Sequence, residues 1–310
     1  MLKRKIDEHA LVAVCPEQDA ISIARIRRNR DMPPSLDLCE VQELENISLQ
    51  GAEIARVTRA RQLHRHYCVS TLDFGAYSLL LVEAPDVPAT ELRAAIRWRV
   101  KDLIDFHIDD ATIDVFEVPD QRVSGGNSMM YAVVARSALV KQRIDLLTQA
   151  GLNLEVIDIP ELALRNLVAL LPEDVAGVAV LYLGPDHGLI TVNRQATLYL
   201  SRRVDIGNED LGDDIDSAGP RLDRIVVEIQ RSLDYYESHF SQPAITNVVI
   251  APLPRYITGI EEYLARQLGI SVRSLDINTL IDAEEPLDMA LQARCLMAIG
   301  AALREESKQL

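Results

Sequence analysis

Apolar and polar positions along this chain follow the same order in two successive rounds. Each round opens with short segments of period two, which indicate antiparallel strands, and continues with helical and extended segments in turn. The opening strands are expected at 11–14 and 21–26 in the first round, and at 177–183, 188–193 and 196–201 in the second. This order predicts an α/β protein of two domains, residues 1–172 and 173–310.

Residues 72–150 read as a separate βαββα insert within the first domain. Its first helix is marked by apolar residues at the spacing of one helical face, namely Leu92, Ile96, Val100 and Leu103. We expect these four side chains to be buried. Trp98, which lies between two arginines, is expected to be a half-buried packing residue, although aromatic residues beside arginine are also favoured at protein interfaces.

Three further expectations concern loops and the last helix. The proline pair at 33–34 predicts a loop over residues 29–40, because proline excludes regular structure. The acidic segment 205–220 predicts a second loop, followed by a long helix at 220–240. A final helix at 287–305 is expected to pack back onto the first domain.

Composition narrows the class of protein. Hydrophobic residues make up 48% of the 310 residues and charged residues 25%, as in ordinary soluble domains. No run of about 18 uncharged apolar residues is present, so we expect no bilayer span. The apolar run at 10–15 is too short for a signal peptide. These features predict a cytoplasmic protein, and any membrane role would come through a partner.

The net charge of −15 lies in the second part of the chain. Residues 102–310 carry 17 Lys and Arg against 33 Asp and Glu, whereas residues 1–101 are almost neutral. An acidic surface repels phosphate backbones, so no nucleic-acid partner is expected. The four cysteines have no metal-ligand spacing and are expected to be small core residues; they are Cys15, Cys39, Cys68 and Cys295.

A search for catalytic motifs is negative. Gly207 and Gly212 have the spacing of a phosphate-binding loop, but an aspartate pair at 213–214 stands where Lys and Ser or Thr are required. His64 and His66 have no third ligand near them in the sequence, so no metal site is expected.

Two segments resemble hallmarks of one protein family. Residues 91–98 (ELRAAIRW) and 104–106 are similar to the EL-x-x-AI-x-W stretch and I-P-F end of the PilM class of type IV pilus assembly proteins, although Asp105 replaces the proline. Residues 228–236 (EIQRSLDYY) resemble that family's EI-x-RSLDYY helix. Within the class, the run 99–106 is most similar to the MshI branch, which serves the MSHA-type pilus.

The resemblance implies an actin-like (ribonuclease H-like) fold of two α/β domains, with residues 72–150 as a small insert in the first. It also implies an adaptor function. PilM-class proteins bind the cytoplasmic tail of a PilN-like inner-membrane protein, MshJ-like in the MSHA branch, in a groove between the insert and its parent subdomain. Arg97, Trp98 and Lys101 are the candidate partner-binding residues. Related type II secretion proteins of the GspL type share the fold, so that system stays an alternative.

The nucleotide site that the resemblance implies is degenerate. Actin-like ATPases hold phosphates in two hairpin loops rich in Gly and Asp. The first should fall at 15–18, which contains no glycine. The second keeps Gly184, Asp186 and Gly188 but lacks the preceding Asp, and Ala251-Pro252 replaces a glycine pair on the adenosine side. We therefore expect a pseudo-ATPase with no catalytic residue and no cofactor.

Two other hypotheses stay open from the sequence. An active actin-like ATPase of a pilus or type II secretion system would bind ATP with magnesium at the remnant second loop. A filament-forming protein would polymerise head to tail, as actin-like folds can.

Overall fold

The computed structural model describes residues 6–28, 33–118 and 128–305. Within these residues the strands are β1 (Asp7–Pro16), β2 (Ala20–Arg27), β3 (Ser35–Glu43), β4 (His66–Thr71), β5 (Tyr77–Glu83), β6 (Ala111–Glu117), β7 (Met129–Arg136), β8 (Asn153–Asp158), β9 (Val178–Leu183), β10 (Gly188–Arg194), β11 (Thr197–Val204), β12 (Asn247–Ile250), β13 (Ser271–Ser274) and β14 (Asp282–Ala283). The helices are α1 (Gln50–Ala60), α2 (Ala89–Val100), α3 (Ser137–Gln149), α4 (Pro160–Val168), α5 (Ile215–His239), α6 (Ile260–Leu268) and α7 (Met289–Ala302).

The first sheet has six strands in the order β14-β3-β2-β1-β4-β8. β1, β2 and β3 form an antiparallel meander, while β4 and β8 continue the sheet parallel to β1. The alternation along β1 decides what covers each face. Val12 and Val14 pack with α1 and α3, whereas the smaller Ala13 and Cys15 lie against α4 and α7. Small residues on that face allow close approach of the helices.

The second sheet repeats this topology with five strands in the order β11-β10-β9-β12-β13. An antiparallel meander of β9, β10 and β11 is again continued by parallel strands, here β12 and β13. Its outer face is covered by α5 and α6. Its inner face contributes Val178, Val180 and Leu189 to the core that contains α4 and α7. The two rounds seen in the sequence are therefore two copies of one sheet topology.

The insert is a three-stranded antiparallel sheet in the order β5-β7-β6. One face is covered by α2, through Ile96 and Val100. The other face packs Phe116 and Tyr131 against the core of the second sheet. The Ser201 N–H of β11 donates to the Tyr131 hydroxyl at 3.2 Å, so the insert contacts both domains.

Helices α4 and α7 lie between the two sheets and contact each other closely. A Cβ on Gly300 would lie 2.2 Å from the Ala163 carbonyl oxygen, so only glycine fits at this point. The Asn166 side-chain amide donates to the Gly300 carbonyl at 2.9 Å and ties the two helices together. α7 packs on β1, β2, β3 and β4, so this last helix lies on the first sheet.

Two loop predictions are wrong. Residues 35–40, expected in a loop, belong to β3, because pairing with β2 along its length outweighs a weak local pattern; residues 29–32 lie outside the described residues. Helix α5 begins at Ile215 rather than at 220. Asp214 caps it by accepting a hydrogen bond from the Ser217 N–H at 3.0 Å, and the helix accommodates Pro220.

Candidate functional site

The place where the resemblance implies a nucleotide contains two hairpin turns, one from each meander. The first joins β1 to β2, and its Glu17 N–H donates to the Ala20 carbonyl at 2.8 Å. The Gln50 side-chain amide donates to the Glu17 carbonyl at 2.7 Å and holds the turn against α1. Pro16 has no N–H, and the Glu17 N–H is already used, so this turn is poor in backbone donors for an anion.

The second turn joins β9 to β10 and contains the predicted Gly184, Asp186 and Gly188. The Gly184 N–H donates to the His187 carbonyl at 2.8 Å. Tyr182, which stands where the family carries aspartate, lies against this turn. A Cβ on Gly184 would be only 2.9 Å from the Tyr182 hydroxyl. The space beside Gly184 is thus filled by a protein side chain.

Carboxylates come from both turns. Asp186 shares a 2.6 Å hydrogen bond with His187 Nδ1, which lowers the pKa of Asp186. Part of the Glu17 side chain is open to solvent, but desolvation of the rest, followed by the charge of Asp19, raises the pKa of Glu17 to about 7. Burial, and then the charge of Glu17, also raises the pKa of Tyr182. Negative charge here opposes that of a polyphosphate.

The other sides of the implied nucleotide site are also occupied by protein atoms. The Ala251 N–H, at the position of the lost glycine pair, donates to the Leu181 carbonyl at 2.8 Å. A Cβ on Gly207 would lie 2.1 Å from the Pro185 carbonyl oxygen, so the following loop packs directly on the second turn. These residues do not fit ATP with magnesium, because donors are few, Tyr182 fills the space beside Gly184, and each of the two turns carries a carboxylate.

The predicted partner-binding residues lie at the C-terminal end of α2. Trp98 is 76% exposed, so the prediction of a half-buried packing residue is wrong. The Lys101 ammonium lies 5.8 Å from the centre of the Trp98 ring. Arg97 forms an ion pair with Asp109 at 2.7 Å. The structure therefore brings Trp98 and Lys101 together on the surface of the insert, whereas Arg97 is directed to Asp109.

Leu103 was also expected to be buried and is instead 57% exposed. α2 ends at Val100, and the Leu103 N–H donates to the Val100 carbonyl at 2.9 Å in a turn, so helical spacing no longer sets the direction of Leu103. Trp98 and Leu103 together expose large apolar side chains at one end of α2. Neighbouring exposed apolar side chains of this size often mark a protein contact surface.

The second hallmark segment, on α5, has a structural explanation. Tyr236 is fully buried. The Ser232 hydroxyl accepts a hydrogen bond from Arg202 Nε at 3.0 Å, and Glu228 pairs with Arg202 at 3.2 Å. These contacts fix α5 on β11, so this segment stabilises the second domain.

Phe74 is the notable residue that sequence reasoning missed. It lies in the connection from β4 to β5, and its ring centre is 4.1 Å from that of His187. The only sequence signal was Gly75 directly after it, which predicts a turn but not what the turn contacts.

The part of the chain that the structure describes also bears on metal binding and on membrane insertion. No group of three or more His, Cys, Asp or Glu side chains there is arranged to hold a metal ion. None of the helices there is long and apolar enough to cross a membrane. Cys15, Cys68 and Cys295 are buried, and Cys39 is partly buried, as predicted.

Comparison with solved structures identifies the fold as actin-like, which confirms the predicted fold class. A chain of the PilM–PilN type IV pilus biogenesis complex matches with a TM-score of 0.74 and 18% identity, over 94% of this chain and 97% of that chain. The cytoplasmic domain of EpsL, an inner-membrane component of the type II secretion system of Vibrio cholerae, matches with a TM-score of 0.51 and 11% identity, over 96% of each chain.

Sequence comparison points in the same direction. The family model for the type IV pilus assembly protein PilM matches residues 81–218. This stretch contains α2 and the second hairpin turn. No curated protein sequence gives a significant match. The chain is thus PilM-like in fold over nearly its whole length and in sequence over residues 81–218.

Proposed function

We propose that this protein is a non-enzymatic adaptor of type IV pilus assembly, which binds the cytoplasmic tail of a PilN-like inner-membrane protein. The observation that carries the proposal is the match of residues 81–218 to the PilM model, because this stretch contains the exposed surface of α2. The solved relative is itself a complex of PilM with PilN, which supports a partner of the same kind. Such a partner would hold this protein peripherally at the cytoplasmic side of the inner membrane.

The chemistry of the α2 surface suits a peptide tail. Trp and Arg are the side chains most often responsible for binding energy at protein interfaces. Trp98 is 76% exposed, and the Lys101 ammonium beside it can donate to backbone carbonyls of a bound peptide, while Arg97, one residue before Trp98, is paired with Asp109. Burying the Trp98 ring under an apolar tail residue would contribute about 1.5–3 kcal/mol.

The absence of catalysis is the second part of the proposal. Tyr182 beside Gly184, together with the carboxylates of Glu17 and Asp186, supports a pseudo-ATPase. Each lost hydrogen bond to a charged phosphate costs about 1.5–3 kcal/mol, so a few such losses remove most of a micromolar affinity. An active ATPase that uses Gly184, Asp186 and Gly188 is the alternative.

We further propose that the protein belongs to the MSHA-type branch of the class. The support is the resemblance of residues 99–106 to MshI-type proteins. The partner would then be MshJ-like. Binding by a tail peptide of an MshJ-like protein that is stronger than binding by a tail of another pilus system would support this assignment.

The test is calorimetric titration of the full chain with a peptide copying the N-terminal cytoplasmic tail of the PilN-like protein, and separately with ATP and magnesium. We expect the peptide to bind and ATP not to bind. Trp98→Ala should weaken the peptide at least tenfold, which is about 1.4 kcal/mol. Tyr256→Ala is the matched control, since Tyr256 is also an exposed aromatic residue, 52% accessible, but lies in the second domain.

The outcomes separate the hypotheses. Peptide binding that Trp98→Ala leaves unchanged would move the partner site away from α2. Micromolar binding of ATP would overturn the pseudo-ATPase and favour the enzymatic alternative. Concentration-dependent sedimentation to large species would instead indicate a filament-forming protein.

A further inference from the structure

The connection from β4 to β5 carries an aromatic contact between the two domains. Phe74 lies in a turn in which the Ala76 N–H donates to the Asp73 carbonyl at 3.0 Å. Gly75 has φ of +86°, a conformation that side chains with a Cβ rarely adopt. The turn is therefore built around a glycine, which sets the direction in which Phe74 leaves the first domain.

The same turn is anchored to the first domain by one buried arginine. Arg143 of α3 donates to the Thr71 carbonyl at 2.9 Å and pairs with Asp73 at 2.9 Å. Its side chain is only 10% exposed. A largely buried arginine that uses both terminal nitrogens, one on a backbone carbonyl and one on a carboxylate, restricts the turn more strongly than a solvated ion pair would.

On the other side, Phe74 meets three side chains of the second domain. The ring centres of Phe74 and His187 are 4.1 Å apart, and those of Phe74 and Tyr182 are 5.9 Å apart with nearly parallel planes, at 12°. Tyr182 and His187 are themselves 6.2 Å apart, so the three rings contact one another. The Arg203 guanidinium lies 5.9 Å from the centre of the Phe74 ring. Such ring pairs contribute beyond their buried area.

We infer that the Asp73–Ala76 turn is an interdomain latch, which closes the cleft with protein side chains where an actin-like ATPase would hold nucleotide. Phe74 is the side chain that crosses from the first domain, and it packs on Tyr182 and His187 of the second hairpin turn. The latch does not depend on the identity of the partner protein. It explains why Tyr182 stands beside Gly184: there the tyrosine contacts the turn of the opposite domain.

The latch predicts a local response to its removal. In Phe74→Ala, the amides of residues 15–22 and 182–190 should exchange with deuterium roughly tenfold faster, equivalent to about 1.4 kcal/mol, because the two hairpin turns would open more often. The amides of α7 should keep their protection. Tyr256→Ala, which removes an exposed aromatic side chain elsewhere in the second domain, should change neither set.

A second variant keeps the test decisive if Phe74→Ala loses structure more widely. Gly75→Ala keeps the Phe74 ring and meets only Arg203 Nη1, at an ordinary 3.9 Å, so its effect comes from the strained φ. Faster exchange confined to the two hairpin segments in either variant supports the latch. Unchanged exchange in both variants, or acceleration spread evenly over the whole chain in both, would overturn it, since Phe74 would then be incidental or simply part of the core.

Discussion

The crossing of α4 and α7 gives the sharpest stability prediction. In Gly300→Ala, the new Cβ would lie 2.2 Å from the Ala163 carbonyl oxygen and 2.7 Å from its carbon, both backbone atoms. The helices would have to separate by about 1 Å, and overpacking of this kind costs about 1–3 kcal/mol. Alanine recovers up to about 1 kcal/mol of helix propensity. Because the clashing atoms belong to the backbone and cannot turn aside, the cost lies at the upper end of its range, and we expect a net loss of about 2 kcal/mol.

Thermal unfolding followed by circular dichroism should report this loss as a fall in Tm of roughly 4 °C. Gly51→Ala is the matched control, because Gly51 lies in α1 and its Cβ would meet only the flexible Leu146 Cδ1, at 3.4 Å. That variant should be unchanged or slightly more stable. Equal or higher Tm for Gly300→Ala would refute the claim that the helices approach as closely as described.

Three further predictions concern charge and exposure. The folded-state pKa of Glu17 is raised to about 7, so the ionised carboxylate destabilises the fold at higher pH. Glu17→Gln should therefore raise the free energy of unfolding by about 1 kcal/mol at pH 8, after solvent screening, and leave it unchanged at pH 4. A gain at both pH values would contradict the raised pKa of Glu17. Arg304→Ala should cost about 3 kcal/mol at pH 7 by leaving Asp158 without its 2.6 Å ion pair. Burial raises the pKa of Asp158, and Arg304 opposes this rise. The loss should therefore shrink in urea titrations at low pH, where Asp158 is protonated in the folded and unfolded states alike. Trp98→Ala should shift Tm by less than about 1 °C, because an exposed side chain contributes little to folding; a large fall would mean that Trp98 packs in the core.

Much of the fold was predictable because the hydrophobic pattern has a direct physical cause. Strands such as β1 alternate Val12 and Val14 with Ala13 and Cys15, and each set faces a different layer of helices. Strands β5, β6 and β7 and helix α2 were also recognisable, since each has a period of its own, whereas α3 packs with Val12 and Val14 of the first sheet. These signals are local. The period of the apolar residues predicts the element correctly where burial follows that period.

The predictions that failed depended on contacts that are distant in the sequence. β3 is a strand because β2 pairs with it, and no local signal outweighed the prolines before it. Leu103 kept the spacing of a buried helical face, but the helix stops at Val100 before that spacing applies. Trp98 was assigned to packing by residue type, whereas its side of α2 faces away from the insert sheet that buries Ile96.

The candidate site also has a part that the sequence predicted and a part that it did not. Sequence comparison within the hairpin turns identified the missing glycines and the missing aspartate, because these are single positions with a known chemical role. It did not identify what replaced them. That Tyr182 contacts Phe74 depends on the relative position of two domains, and the intervening sequence gives no pattern that predicts this contact.

The proposed loss of the nucleotide site and the proposed latch are physically connected. In an actin-like ATPase, bound nucleotide contacts both domains and stabilises the closed cleft. A chain that gives up those contacts must either let the cleft open or replace them with contacts of its own. The contact of Phe74 with Tyr182 and His187 is such a replacement. Because the latch turn leads directly into β5, it also restricts the insert, and a restricted docking surface loses less conformational entropy on binding. An adaptor gains from this arrangement, whereas an enzyme that must open to release its product would not.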